Sequence, residues 1–241
     1  LWNGRDTLFL LSRSTAIMGL IYLPFSYLPF IADNPARRIL IESVAMQTDF
    51  LLGLIDVEPE LVRGVDVRSD ALDNPDYQYL STFFFDREGV NVIYTIIIAC
   101  TGLGAMAIFA GAILAVRAPI DRKLKALGIA IPIIYGANLF RNVFIATMYG
   151  EQRMQWFVGP VTTIFGTEEP KVSYYLADRI LAQFGSVIAL IIITLLVVRV
   201  LPEIVILVED GLRLLTGKEY DLADAIGVEV PEGSRTAGID R

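Results

Sequence analysis

The chain has 241 residues, 54% of them hydrophobic, and a mean hydropathy of +0.56. With its several long apolar runs, that composition excludes an ordinary soluble domain. Lys and Arg number 20 against 27 Asp and Glu, for a net charge of -7, and no basic stripe exists to meet phosphates, so a nucleic-acid role has no support.

The apolar runs are continuous, whereas a membrane barrel strand alternates lipid-facing and lumen-facing residues over about ten positions. The fold expected is an all-α integral membrane protein. It is a polytopic helical bundle with at least four transmembrane helices, plus interfacial amphipathic helices and an external loop region, in one domain covering residues 1–241. The sequence opens at Leu1 with no basic segment, short apolar core and small-residue cleavage site of a signal peptide, and reads as trimmed or as lacking an upstream part. A single cysteine allows no internal disulfide. The absence of histidine removes Cys-His and Ser-His dyads and His-ligated metals, so no cofactor or metal is expected. Acidic loops and only four lysines suit high salt, where self-repulsion is screened, and a halophilic source is expected.

The first span is expected over residues 7–32, where Arg13 is the only charge before Asp33 and Pro24 and Pro29 predict a kink near the exit. Residues 35–55 place Arg38, Glu42 and Asp49 near helical spacing and read as an amphipathic helix at the interface, with Arg38 and Glu42 paired at i,i+4. Residues 56–88 form an external loop with a hairpin. Residues 89–116 carry no charge and are expected as the second span, with Gly104, Ala107 and Gly111 allowing close helix approach.

The basic segment 117–125, RAPIDRKLK, is expected to stay cytoplasmic. It orients the bundle: span three over 126–149 runs outward and span four over 172–198 returns. Residues 150–171 become a second external loop, whose WFVGPVTTIFG core is apolar enough to dip into the interface. The tail, 199–241, is cytoplasmic, with a surface helix followed by an acidic, mobile end.

Three residues stand out chemically. Cys100 lies in the charge-free run, and Arg141 and Arg179 each lie inside an apolar span. A buried guanidinium costs about 2.5 to 3.5 kcal/mol even on the lenient insertion scale, so it usually faces a protein interior or cavity. On the expected topology all three sit roughly 12 to 15 Å below the outer surface, which points to one outward-facing pocket. A guanidinium beside a thiol favours thiolate and can donate to an oxyanion. The plainer alternative bonds Arg141 to Asn138 and neighbouring carbonyls, and pairs Arg179 with Asp178 or with lipid head groups. Neighbours on a helix stand about 100° apart, so Asp178 and Arg179 cannot face the pocket equally.

The stretches ACTG around Cys100, NLFRN around Arg141 and ADRILAQFG around Arg179 are about forty residues apart, and in that order the chain resembles the exosortase/archaeosortase family of integral membrane transpeptidases, nearest its archaeosortase A branch. The resemblance covers roughly residues 90–198. It implies that Cys100 is the nucleophile, Arg141 its partner and Arg179 the third catalytic position, where many exosortases carry His. It also implies membrane-anchored substrate proteins with a C-terminal sorting signal: a Pro-Gly-Phe motif, an apolar helix and a basic cluster. Such an enzyme cuts at that signal and passes the new C-terminus to a membrane phospholipid, with its active site on the outer face of the cell membrane. Surface-layer glycoproteins are the expected clients. Two other readings compete: an anion-binding transporter or channel subunit, and a non-catalytic membrane scaffold whose buried charges fix helix register.

Overall fold

The computed structural model describes residues 4–25, 34–70, 74–87, 90–218 and 220–227. Among them three helices are long and apolar enough to cross a membrane, Thr7–Phe25, Ile120–Gly150 and Glu169–Val200, and a shorter apolar helix covers Leu103–Ala115. The helical elements are α1 (Gly4–Tyr22), α2 (Pro35–Gly53), α3 (Gly64–Val67), α4 (Leu103–Ala115), α5 (Ile120–Gly150), α6 (Val158–Phe165), α7 (Val172–Tyr174), α8 (Gln183–Val200), α9 (Ile204–Thr216) and α10 (Leu222–Ile226). A π-helical segment, Tyr175–Ala182, joins α7 to α8. Strands β1 (Glu60–Arg63), β2 (Leu80–Arg87) and β3 (Val90–Thr95) form one antiparallel sheet in the order β1-β2-β3. The chain is a polytopic helical membrane protein carrying a small sheet.

It divides into two compact units. The first comprises Leu1–Pro24, Gly104–Ile134 and Leu190–Arg241. Here α4 lies close against α1, because Gly111 has no side chain: a Cβ there would stand 2.7 Å from the Ser14 carbonyl oxygen. Helix α9 packs on α1, and Thr7 Oγ1 donates to Asp210 Oδ2 at 3.0 Å. Arg122 pairs with the buried Glu203 at 2.8 Å. Pro24 ends α1 in a 3-10 turn, as its lost N–H requires, while the kink expected at Pro29 lies outside the described residues. The tail expected as mobile begins with a capped helix, since Asp221 Oδ1 accepts from the Asp224 N–H at 3.1 Å. Residues 228–241 are not among those described.

The second unit comprises Phe25–Leu103 and Tyr135–Ala189. Helix α2 starts where Asn34 caps the Arg37 N–H at 3.1 Å and Pro35 supplies a preset first turn. Its inner face, Ile41, Val44, Ala45 and Leu52, is buried with Phe83, Phe85, Val92 and Tyr94 of the sheet and Ile145 and Ala146 of α5. The outer face shows Ile39, Met46 and Phe50, and the expected Arg38–Glu42 pair closes at 3.1 Å. Across the sheet, Thr82 opposes Thr95 and Phe83 opposes Tyr94, whose rings stack at 6.3 Å. The loop expected over 56–88 therefore holds β1 and β2, with the short α3 and a 3-10 turn between them, and β2 also pairs with β3.

The expected second span corrects most. Residues 89–116 are not one helix: they make β3, a 3-10 turn over Ile98–Thr101, and α4, which begins only at Leu103. The cause is visible in period-two burial, with Val92, Tyr94 and Ile96 inward, which is a strand pattern made of β-branched and aromatic residues. At 13 residues, α4 is about 20 Å long. The basic segment expected as a loop over 117–125 instead enters α5 from Ile120.

Candidate functional site

Cys100 is the third residue of the 3-10 turn Ile98–Thr101, not part of a membrane helix. The turn closes through the Cys100 N–H to the Ile97 carbonyl at 2.8 Å and Thr101 Oγ1 to the Ile98 carbonyl at 2.7 Å. Gly102 follows at φ +76, a left-handed geometry that costs a side chain energy, and its bare Cα lets Asn138 approach: a Cβ would lie 3.1 Å from Asn138 Cβ. The sequence ACTG is thus a shape requirement as much as a chemical one.

Helix α5 supplies the other wall. Asn138 Nδ2 and Asn142 Nδ2 both donate to the Cys100 carbonyl, at 2.5 and 2.8 Å. Asn142 is fully buried, and its Oδ1 accepts from the Tyr94 hydroxyl at 3.2 Å. Burial holds the Tyr94 phenol well above its ordinary range, so it remains a donor. NLFRN therefore carries two backbone clamps around one cation, with Asn142 and Asn138 four residues apart on a shared face.

Arg141 lies between those asparagines and pairs with Asp178, Nη2 to Oδ1 at 2.5 Å. Asp178 belongs to the π-helical segment, a rare geometry that is frequent at functional sites. Burial pushes the Cys100 thiol above its ordinary range, the backbone N–H environment at Ile97 and the Arg141 charge pull it down, and Asp178 and Asp76 push it up. The thiol of the resting chain is accordingly protonated at neutral pH.

Of the residues singled out in the sequence, Cys100 and Arg141 come together. Arg179 is exposed. Of the plainer alternative, the pairing of Arg179 with Asp178 is corrected: Asp178 pairs with Arg141. Adjacent positions of one helical segment point to different sides, and here Asp178 faces Arg141 while Arg179 is exposed. Sequence reasoning missed Tyr94 and Asn142, and passed over Asp178 as a working member. The two asparagines at i,i+4 around Arg141 were the available signal.

A helical membrane protein whose one thiol is held on a clamped turn beside a guanidinium defines a class of membrane-embedded thiol protein. The chain matches the family described as Transmembrane exosortase (Exosortase_EpsH) over residues 1–167, a stretch that includes Cys100 and Arg141 and ends before Arg179. An Archaeosortase A of Haloferax volcanii is 44% identical over 235 residues, covering 95% of this chain and 74% of that protein. An Archaeosortase A of Natronomonas pharaonis is 37% identical over 215 residues, covering 88% of this chain and 64% of that protein. The chain belongs to the exosortase/archaeosortase family. No solved structure matches it.

Proposed function

We propose that the protein is a membrane cysteine transpeptidase that cleaves the C-terminal sorting signal of membrane-anchored proteins and transfers the new C-terminus to a membrane phospholipid. The observation that carries this reading is the Cys100 turn, whose carbonyl is held by Asn138 and Asn142 on either side of Arg141. Such a clamp fixes a nucleophile without using the thiol's own bonding capacity.

Because burial keeps the thiol protonated, a base must act with substrate present. In a chain without histidine, Asp178 is the carboxylate best placed for that role, next to Arg141. The S–H proton passes to Asp178, and the thiolate adds to the scissile carbonyl carbon. Arg141 donates to the resulting oxyanion. The C–N bond breaks as the leaving amine takes the proton from Asp178, leaving a thioester on Cys100. A lipid nucleophile then attacks the thioester and gives its proton back to the thiolate through the same carboxylate. Arg179, exposed and one residue from Asp178, is the donor assigned to the incoming substrate.

The sorting signal expected is a Pro-Gly-Phe motif, an apolar helix and a basic cluster, with surface-layer glycoproteins as clients and the site on the outer face of the cell membrane. The test is processing of a tagged reporter bearing that signal by the wild-type protein and by Cys100→Ser in proteoliposomes. The serine variant should remain folded and leave the reporter uncut, and wild-type processing by it contradicts the reading.

A further inference from the structure

Ile98 opens the turn that carries Cys100, and its N–H, like the first donors of any helical turn, has no partner inside the turn. It donates to Asp76 Oδ2 at 2.9 Å. Asp76 is completely buried and is gripped by Arg37 through two bonds, Nε to Oδ1 at 2.5 Å and Nη2 to Oδ2 at 2.9 Å. Arg37 also donates from Nη1 to the carbonyl of Phe25, where the first membrane span ends, at 3.1 Å. Asn74 fixes the carboxylate's own backbone, accepting from the Asp76 N–H at 2.9 Å.

A buried ion pair is poor evidence of stabilisation, because desolvation offsets most of the attraction and apolar replacements are often neutral. This pair has a further partner, and that partner is the nucleophile's turn. The turn is thus held at both ends: Ile98 N–H by Asp76, and Cys100 carbonyl by Asn138 and Asn142. We propose that Arg37 and Asp76 are positioning residues that set the place of the Cys100 thiol for catalysis, acting through the Ile98 N–H. The pair touches neither substrate nor the reacting atoms. The proposal rests on the reading of Cys100 as nucleophile.

The experiment uses the full chain in proteoliposomes with the tagged reporter, and the double variant Arg37→Met/Asp76→Leu. That variant removes both buried charges together, so it should melt within a few degrees of wild type, but it leaves Ile98 without its acceptor. The expected result is a kcat about 10²-fold lower, the scale of an ångström of misplacement, with KM within about twofold. Iodoacetamide should alkylate Cys100 several-fold faster, since the turn is looser. Wild-type kcat in the folded variant overturns the proposal, as does unaltered alkylation. If the double variant does not fold, Asp76→Ala, which also takes the acceptor from the Ile98 N–H, is assayed below its melting temperature with the same two readouts, and wild-type kcat there is equally fatal. A loss of kcat that disappears once the variant is cooled into its folded range makes the pair merely structural. Wild-type processing by Cys100→Ser would sink the nucleophile reading alone, because alkylation reports the turn's position whatever the protein catalyses.

Discussion

Arg141 of α5 and Asp178 of the π-helical segment meet at 2.5 Å between Nη2 and Oδ1, and the arginine's helical neighbours Asn138 and Asn142 hold the carbonyl of Cys100. Cation, carboxylate and thiol turn are therefore assembled through one helix face. Replacing Asp178 by Asn keeps the shape but removes the proton acceptor and one of the negative charges that push the thiol up. Processing should fall by about 10²-fold or more, the upper part of what a general base supplies. The pH midpoint of Cys100 alkylation should fall at the same time, because a charge opposing the thiolate is gone. Full processing with an unmoved midpoint would remove Asp178 from the site.

Arg141→Lys and Arg179→Lys separate the two arginines. Lysine keeps the charge but loses the planar fork, so Arg141→Lys should lower turnover by about 10² to 10³, or roughly 2.7 to 4 kcal/mol, with little change in substrate affinity. Arg179 is exposed, so Arg179→Lys should leave the melting temperature unchanged while turnover drops. Turnover and melting curves of both variants decide the matter. A large fall in melting temperature with turnover intact would make Arg141 a structural ion-pair member.

Gly102→Ala tests the shape of the nucleophile turn. The left-handed φ of +76 costs a non-glycine residue about 1 to 2 kcal/mol, and the new Cβ would press on Asn138 at 3.1 Å. The variant should fold with a modestly lower melting temperature yet lose most processing, because Asn138 must shift off the Cys100 carbonyl. Wild-type turnover in this variant would show that the turn tolerates displacement.

Much of this architecture can be read from residue order. The long charge-poor runs mark α1, α5 and α8, and the Arg38–Glu42 pair marks α2 as a helix with one wet side. The run after Gly89 misleads because lack of charge is shared by a membrane helix and a buried strand, and only the alternation of Val92, Tyr94 and Ile96 separates them. The bond from Arg37 to Asp76 spans 39 positions and has no local pattern at all. Cys100 and Arg141 are legible through their rarity, but the choice of Asp178 over Arg179 depends on helix rotation, which packing determines.

The thiol also predicts a pH dependence. Since burial raises it above the free-thiol range, its protonated form is the one the fold favours. Its contribution to stability is present below the unfolded value and is lost as pH rises through the folded one. Alkylation of Cys100 should climb with pH, with a midpoint above that of free cysteine. Arg141→Gln, which removes the charge pulling the thiol down, should move that midpoint higher still. A midpoint below the free-thiol value would mean that Arg141 outweighs burial.

Nucleophilic catalysis by Cys100 is tested most directly by trapping the covalent intermediate. The protein is incubated with the tagged reporter in detergent micelles free of phospholipid, quenched in acid, and its peptides are weighed by mass spectrometry. The predicted result is the reporter's new C-terminus joined to the peptide containing Cys100, released by hydroxylamine as a thioester is, and missing in Cys100→Ser. Cleaved reporter with no adduct on Cys100, or cleavage that persists in Cys100→Ser, would contradict it.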